Sequence, residues 1–292
     1  MFNEKSEKNT TLESHDADGQ FLTGRADLTE LHEVLLEFIR KRVTEAGANG
    51  VVVGMSGGID STLTAMLAVQ ALGNDRVLGL ALPARKTDDA TREARTMADG
   101  LGIEFREISL RPLVDYFEEF VAPEIDVAAT QKTIGNVVTR LRMACLYYAA
   151  NTQSRLVLGT TNRSELRLGY FTKFGDGAAD LRPLGDLYKT EVRALASHVG
   201  VPRRIIAKEP TADLWSGQTD ADEIGARYEA VDPILRHLLD RGKRVEETVE
   251  AHDADPETVE RVTEMYVDSL HKRARPPTPG VAGRGRDGDS HL

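Results

Sequence analysis

One stretch constrains this chain more than any other: a strand that runs without a break into a glycine turn and then a helix. Val51-Val52-Val53 is a short β-branched run of the kind that fills a buried strand, and it leads directly into Gly54-Met55-Ser56-Gly57-Gly58-Ile59-Asp60-Ser61. Helical spacing then continues to about residue 72. Glycines here let the backbone turn sharply and bring its N–H groups against a ligand. The helix behind them offers unpaired amides and the positive end of its dipole to an anion. Ser56 and Ser61 add hydroxyl donors. The stretch is not a Walker A loop, which needs Lys before its Ser/Thr, nor a dinucleotide fingerprint, which needs Gly-x-Gly-x-x-Gly. Asp60 is the informative departure. A carboxylate inside an anion hole is repulsive unless a divalent cation lies between, so Asp60 points to Mg²⁺. A plainer alternative stays open: a strand–helix turn of small residues in which Asp60 merely stabilises the helix start.

The rest of the pattern alternates short apolar strands with helices. Leu28, Leu31, Leu35, Phe38, Ile39 and Val43 recur at helical spacing and predict a helix ending near Gly47. Strands are predicted at 51–53, 77–82, 103–108 and 156–160, with helices at 59–72, 87–100, 112–121, 131–151 and 188–198. Further helices are expected at 223–241 and 255–270. Residues 169–185, rich in Gly and Asp, are too long for a plain turn and read as a functional loop, and 203–222, which holds Trp215, as a second irregular stretch. This is the pattern of βαβ units. It predicts an α/β fold: a doubly wound, Rossmann-like parallel sheet flanked by helices, with helical additions. A single domain is expected over 26–275, between a flexible arm at 1–25 and a flexible tail at 276–292.

Composition narrows the function. The 292 residues carry 37 Lys+Arg against 47 Asp+Glu, a formal net charge of −10, which argues against a nucleic-acid scaffold. Arg supplies 27 of those 37 cations, and either base composition or a salt-adapted acidic surface accounts for that skew. The only cysteine, Cys145, lies mid-helix and reads as a small core residue. A lone thiol suits a reducing cytoplasm. No apolar run approaches the ~20 residues of a membrane span, and the charged start lacks the apolar stretch of a signal peptide, so no membrane partner is expected.

At Ser56-Gly57-Gly58-Ile59-Asp60-Ser61 the sequence resembles the PP-loop ATP pyrophosphatase superfamily. Its members cleave ATP between the α and β phosphates and adenylate a second substrate. Later motifs extend the resemblance: Gly159-Thr160-Thr161-Asn162-Arg163-Ser164-Glu165, Lys173-Phe174-Gly175-Asp176-Gly177-Ala178-Ala179-Asp180, Tyr188-Lys189-Thr190 and Pro210-Thr211-Ala212-Asp213-Leu214-Trp215. With Arg140 on the long helix and His271-Lys272-Arg273 near the end, the set is similar, over roughly residues 27–276, to the ammonia-dependent NAD synthetase family. The resemblance implies an adenine nucleotide alpha hydrolase-like fold, a C–N ligase, and the reaction deamido-NAD + ATP + NH₃ → NAD + AMP + pyrophosphate. It places residues 54–61, Thr160, Lys189 and Thr211 on ATP, with Lys189 and Thr211 stabilising the transition state. It assigns Asp60 and Glu165 to magnesium, and Arg140, Lys173, Asp180, His271 and Lys272 to deamido-NAD. It also implies a homodimer, with His271 and Lys272 reaching the ligand of the other subunit.

The residues carry part of this by themselves. Thr160 and Glu165 lie just past the C-terminal end of a predicted strand, where ligands collect in open α/β sheets, although Glu165 taken singly also reads as a solvated charge. Arg140 and Arg142 are two apart on a helix and so point in different directions, which leaves Arg142 as an ordinary ion-pair partner. Tyr170, Phe171 and Phe174 beside Lys173 suit a pyridine nucleotide with a free carboxylate, and suit core packing as well. Lys189 opens a helix, where a cation is mildly unfavourable against the dipole, so a phosphate partner is expected. An Asp of the 169–180 loop is a candidate base for ammonia. Two rivals share the architecture: a tRNA-modifying PP-loop enzyme, disfavoured by the acidic balance, and a non-catalytic nucleotide sensor, which has little use for two metal carboxylates. A glutamine-dependent synthetase in one polypeptide is not expected at this length, and whether a separate protein delivers ammonia stays open.

Overall fold

The structure is a computed structural model that describes residues 21–84, 88–125, 130–215 and 217–279. Four parallel strands form its centre: β1 (Gly50–Gly54), β2 (Val77–Ala81), β3 (Glu104–Glu107) and β4 (Arg155–Leu158), in the spatial order β3-β2-β1-β4. Val52 lies opposite Leu78 on one side and Val157 on the other. The chain moves outward from β1 to β3, then returns to lay β4 on the far side of β1. The strand order therefore reverses between β1 and β4, and the expected doubly wound topology is what the chain adopts.

Strand alternation decides which side chain meets which layer, because neighbouring residues point to opposite faces. Val51 and Val53 face a cluster with α1 (Arg25–Glu45), α2 (Ile59–Leu72) and α8 (Lys189–Val199). Val52, Leu78, Leu80 and Val157 face Leu141, Leu146 and Ala150 of α6 (Gln131–Gln153). The apolar spacing of α1 buries Leu28, Leu31, Leu35, Ile39 and Val43 as expected. Each such side chain removed from water favours the fold by about 1.5–3 kcal/mol. The central helix α2 is covered on nearly all sides, with Leu63, Ala65, Leu67 and Ala68 fully buried. A third cluster joins α7 (Arg163–Leu168), α11 (Tyr228–Leu235) and α13 (Pro256–Asp268) around Val231, Ile234 and Val259. No helix of the described residues is long and apolar enough to cross a membrane.

Several expectations are corrected. Residues 21–24 belong to the packed structure rather than to an arm: the Leu22 N–H donates to Glu191 at 2.9 Å, and Phe21 meets the Tyr188 ring edge-on at 5.6 Å. Residues 1–20 of that arm and 280–292 of the tail lie outside the described residues. The helix expected at 223–241 starts earlier, at α10 (Asp220–Ile224), and breaks at Gly225, whose φ of +90° ends a right-handed helix. It resumes as α11 and runs into a π-helical turn over Arg236–Asp240. Helix α7 and α12 (Val245–His252) have no counterpart among the expected elements, and the irregular stretch 203–222 begins with a helical turn at Arg203–Ile206. The 112–121 helix is α4 (Arg111–Tyr116) followed by a π-helical turn over Phe117–Val121.

Because Leu63 is fully buried between the sheet and α1, Leu63→Ala leaves a cavity that the layers cannot close. Urea unfolding should show a loss of about 2–5 kcal/mol; a loss within measurement error would mean that α2 is not the packed centre of the domain.

Candidate active site

The loops after β1 and β4 leave the sheet side by side at the point where strand order reverses, and the residues singled out in the sequence collect there. Residues 54–61 turn from β1 into α2. Gly57 has φ +72°, and a Cβ on it would lie 2.4 Å from the Ala90 carbonyl oxygen, so this position requires glycine. Gly58 precedes α2 without capping it by a side chain, and the Ser61 hydroxyl both accepts from the Ser56 N–H and lies 3.2 Å from the Ser56 hydroxyl. The first amides of α2 thus face the mouth of the crevice rather than a cap.

Beside that turn lies the central contact of the site. Lys189 Nζ donates to Asp60 Oδ2 at 2.7 Å and to Glu165 Oε1 at 3.1 Å. Its side chain is 3% exposed, against 18% for Asp60 and 16% for Glu165. The three residues come from α2, α7 and α8, so the contact exists only because those helices converge on the β1–β4 crevice. Burial pushes the ammonium pKa down, but the Asp60 and Glu165 carboxylates outweigh it and leave Lys189 firmly protonated. Burial also dominates at Glu165, and although Lys189 pulls the other way, the carboxyl is held above its usual range. The Tyr228 ring lies 5.1 Å beneath Lys189 Nζ and adds a cation–π contact. Lys189 opens a helix as expected, yet its partners in the structure are these carboxylates. They offset the unfavourable dipole as a phosphate would.

Asn162, not singled out in the sequence, braces both acids. It is fully buried; its Nδ2 donates to Asp60 Oδ1 at 2.9 Å, and its N–H donates to Glu165 Oε2 at 3.2 Å. Its Oδ1 accepts from the Glu165 N–H at 3.0 Å, which completes a capping box and starts α7. The Asn162-x-x-Glu165 spacing is a signal for the helix start, whereas the bond to Asp60 is long-range. Thr160 sits between β4 and Asn162, on the same rim.

The second group of predicted residues gathers on the 169–180 loop. The Arg140 guanidinium donates to the Lys173 carbonyl at 3.2 Å, Lys173 Nζ donates to the His271 carbonyl, and Lys272 Nζ donates to the carbonyls of Gly169 at 2.8 Å and Phe171 at 3.0 Å. The His271 carbonyl and the Lys272 ammonium thus meet the 169–180 loop of their own chain. Asp180 accepts from the Val157 N–H at 2.7 Å and from the Tyr147 hydroxyl at 3.2 Å, which ties the loop back to β4. Asn136, also outside the predicted set, accepts from the Thr172 hydroxyl at 2.6 Å. The three aromatics divide: Phe171 is buried, the Tyr170 hydroxyl donates to Glu223, and Phe174 is 57% exposed with Lys173 Nζ 5.3 Å from its ring. Arg142 is not an ordinary ion-pair partner: it donates to the Leu82 carbonyl at 3.1 Å, and burial lowers its pKa against the pull of Asp213 and Asp176. Thr211 accepts from the Asp213 N–H at 3.0 Å within its own loop. Cys145 is half-buried: it packs against the core cluster around Val52 and Val157 and also lines a surface groove.

The raised Glu165 pKa makes a signed prediction. A glutamate carboxyl titrates at 4.5 when unfolded, and burial holds it above that value in the folded chain. Between the two values the folded chain holds a proton that the unfolded chain has released, so this contribution to stability is complete below pH 4.5 and is lost as pH rises through the folded value. Glu165→Gln removes the titration. The variant should therefore gain stability relative to the unsubstituted protein as urea unfolding is repeated from pH 5 to pH 9, and a pH-independent difference would overturn the upward shift.

Comparison with known proteins agrees with this geometry. The family model described as NAD synthase matches residues 31–276. An NH(3)-dependent NAD(+) synthetase of Pyrococcus horikoshii is 46% identical over 253 residues, covering 87% of this chain and 95% of its own. Among solved structures, an NMN synthetase from Francisella tularensis superposes with a TM-score of 0.76 at 36% identity, covering 86% of this chain and 98% of its own. An NH3-dependent NAD synthetase from Campylobacter jejuni superposes with a TM-score of 0.72 at 28% identity over the same shares. The strand-to-glycine-turn crevice, its paired carboxylates and these matches lead to one conclusion: the chain belongs to the NAD synthase family.

Proposed function

We infer that the chain amidates deamido-NAD with ammonia, using ATP, to give NAD, AMP and pyrophosphate. The observation that carries this is the convergence of Asp60 Oδ2 and Glu165 Oε1 on one cationic group at the mouth of the glycine turn, in a chain of this family. Two carboxylate oxygens aimed at one point are a donor set for a hard divalent cation. Among the described residues no third His, Cys, Asp or Glu joins them in a metal-binding group, so phosphate oxygens and water must complete the shell. Asp60 and Glu165 would hold magnesium, which when bound neutralises charge on the triphosphate.

The chain's own groups divide the remaining work. The amides of Gly57, Gly58 and Ile59 with the hydroxyls of Ser56 and Ser61 hold the phosphates, and Gly54 and Met55 carry the chain into that turn. Thr160 lies on the same rim for the nucleotide. Lys189, already protonated, turns to the β and γ phosphates and, with the Thr211 hydroxyl, neutralises pyrophosphate as it leaves. Arg140, Lys173, Asp180, His271 and Lys272 form the wall of the pocket for deamido-NAD. A nicotinate carboxylate oxygen attacks the α-phosphorus, the bond to the bridging oxygen breaks, and an acyl adenylate forms. Ammonia then attacks the acyl carbon, and AMP departs. Positioning and charge account for both steps.

A two-fold homodimer is part of this reading. Leu113, Tyr116, Phe120, Ile125 and Tyr148 are each more than half exposed, and of these Leu113 and Tyr148 line, with Leu141 and Cys145, an apolar groove of about 310 Å³. A cytoplasmic enzyme fits the free thiol of Cys145. A second reading, amidation of the mononucleotide, is favoured by the likeness to the Francisella NMN synthetase.

Pyrophosphate release from Mg·ATP by the purified protein tests the reaction. It should require deamido-NAD, and ammonium should convert the product to NAD; release without deamido-NAD, or with the mononucleotide instead, would overturn the first reading. Asp60→Asn should lower turnover by about 10²-fold or more with its circular dichroism unchanged. Sedimentation should give a dimer, and Phe120→Asp with Tyr148→Asp a monomer; a monomeric unsubstituted protein would remove the dimer.

A further inference from the structure

A buried carboxylate that the reaction does not use joins the two helices that carry Glu165 and Lys189. Asp232, on α11, is fully buried and accepts three hydrogen bonds. Oδ1 accepts from the Ser164 hydroxyl at 2.5 Å, and Oδ2 accepts from the Thr190 N–H at 2.8 Å and the Thr190 hydroxyl at 2.7 Å. The Ser164 oxygen in turn accepts from the Lys189 N–H at 2.9 Å. Ser164 directly precedes Glu165 in the chain, and Thr190 directly follows Lys189.

These contacts fill a specific need. The first N–H groups of a helix lack intrahelical partners, and here the first two of α8 are taken by Ser164 and Asp232. Lysine has a long flexible stem, so its ammonium can be held at 2.7 Å and 3.1 Å from two carboxylates only if its backbone is fixed. Three donors converging on one side chain call for an acceptor without protons of its own. A carboxylate satisfies all three; an amide would aim its NH₂ at a donor. Burial raises the Asp232 pKa, while the bonds from Ser164 and Thr190 hold it down.

We propose that Asp232 is the positioning residue of this site: through Ser164 and Thr190 it holds the starts of α7 and α8 in one register, so that Glu165 and Lys189 face the same triphosphate. The inference rests on the proposed roles of those two residues in binding magnesium and phosphate. It also gives α11 and its apolar cluster, which already support Lys189 through the Tyr228 ring, a second tie to the chemistry: they carry the anchor.

The test is Asp232→Asn, with Thr190→Val and Ser164→Ala as companions, each checked for fold by circular dichroism and urea unfolding. In Asp232→Asn, kcat for pyrophosphate release should fall about tenfold or more and KM for ATP should rise, while KM for deamido-NAD stays within about twofold. Thr190→Val and Ser164→Ala should show the same split at smaller size, and they serve if the Asp232 variant does not fold. Mg·ATP binding by calorimetry keeps this inference separable from the functional reading: it should weaken about tenfold in Asp232→Asn whether or not NAD is formed. Lowered stability with kcat and ATP affinity per folded molecule unchanged would mean that Asp232 only supports the fold, and would overturn the proposal. Absence of deamido-NAD-dependent release from the unsubstituted protein would overturn the function alone.

Discussion

A single protonated lysine between two carboxylates organises this molecule. Lys189 is almost wholly buried, and a charge taken out of water is tolerated only where partners replace the lost solvation. Asp60 and Glu165 are those partners, and they arrive from helices 129 and 24 residues away in the chain. Removing either acid leaves a buried cation short of a partner, and removing the lysine leaves two carboxylates facing each other. Under the proposed function, a divalent cation and a triphosphate would offer each member of the cluster a better-matched partner.

The sheet provides the place where this can happen. Because strand order reverses between β1 and β4, two loops diverge there and leave a crevice with the N-terminus of α2 at its edge. The helical additions then close it from the side. Tyr228 supports the lysine from α11, and Asp232 on the same helix carries the tether to α7 and α8. The cluster around Val231, Ile234 and Val259 is thus the footing of the site as well as a second core.

Charge distribution follows the same logic. The chain has a net charge of −10, yet Arg140, Lys173, Lys189 and Lys272 are concentrated around the crevice and its loop. Three of these cations direct their donors at backbone carbonyls of the Lys173 loop and of the C-terminal turn, which braces a glycine-rich segment. An acidic surface and an anion-binding site coexist because fields from exposed charges are screened over about 8–10 Å while those inside a crevice are not.

Local chemistry is enough to read much of this from the chain. The β-branched run, the Ser-Gly-Gly-Ile-Asp-Ser turn and the apolar spacing of residues 28–43 each act over a few residues, so they announce the first strand, its anion-binding turn and the flanking helix. Long-range contacts are not legible in that way. The break at Gly225, the docking of Phe21 and Leu22, and His271 and Lys272 on their own loop depend on surfaces that exist only once the layers have packed. So do the roles of Asn162 and Asp232, ordinary polar residues whose partners lie up to 102 residues away. The sequence by itself determined the four strands, most of the flanking helices and the glycine turn between β1 and α2, because those preferences are set by neighbouring residues. Only the tertiary structure decided that Lys189 sits between Asp60 and Glu165, because that meeting requires the reversal of strand order that brings three helix starts to one point.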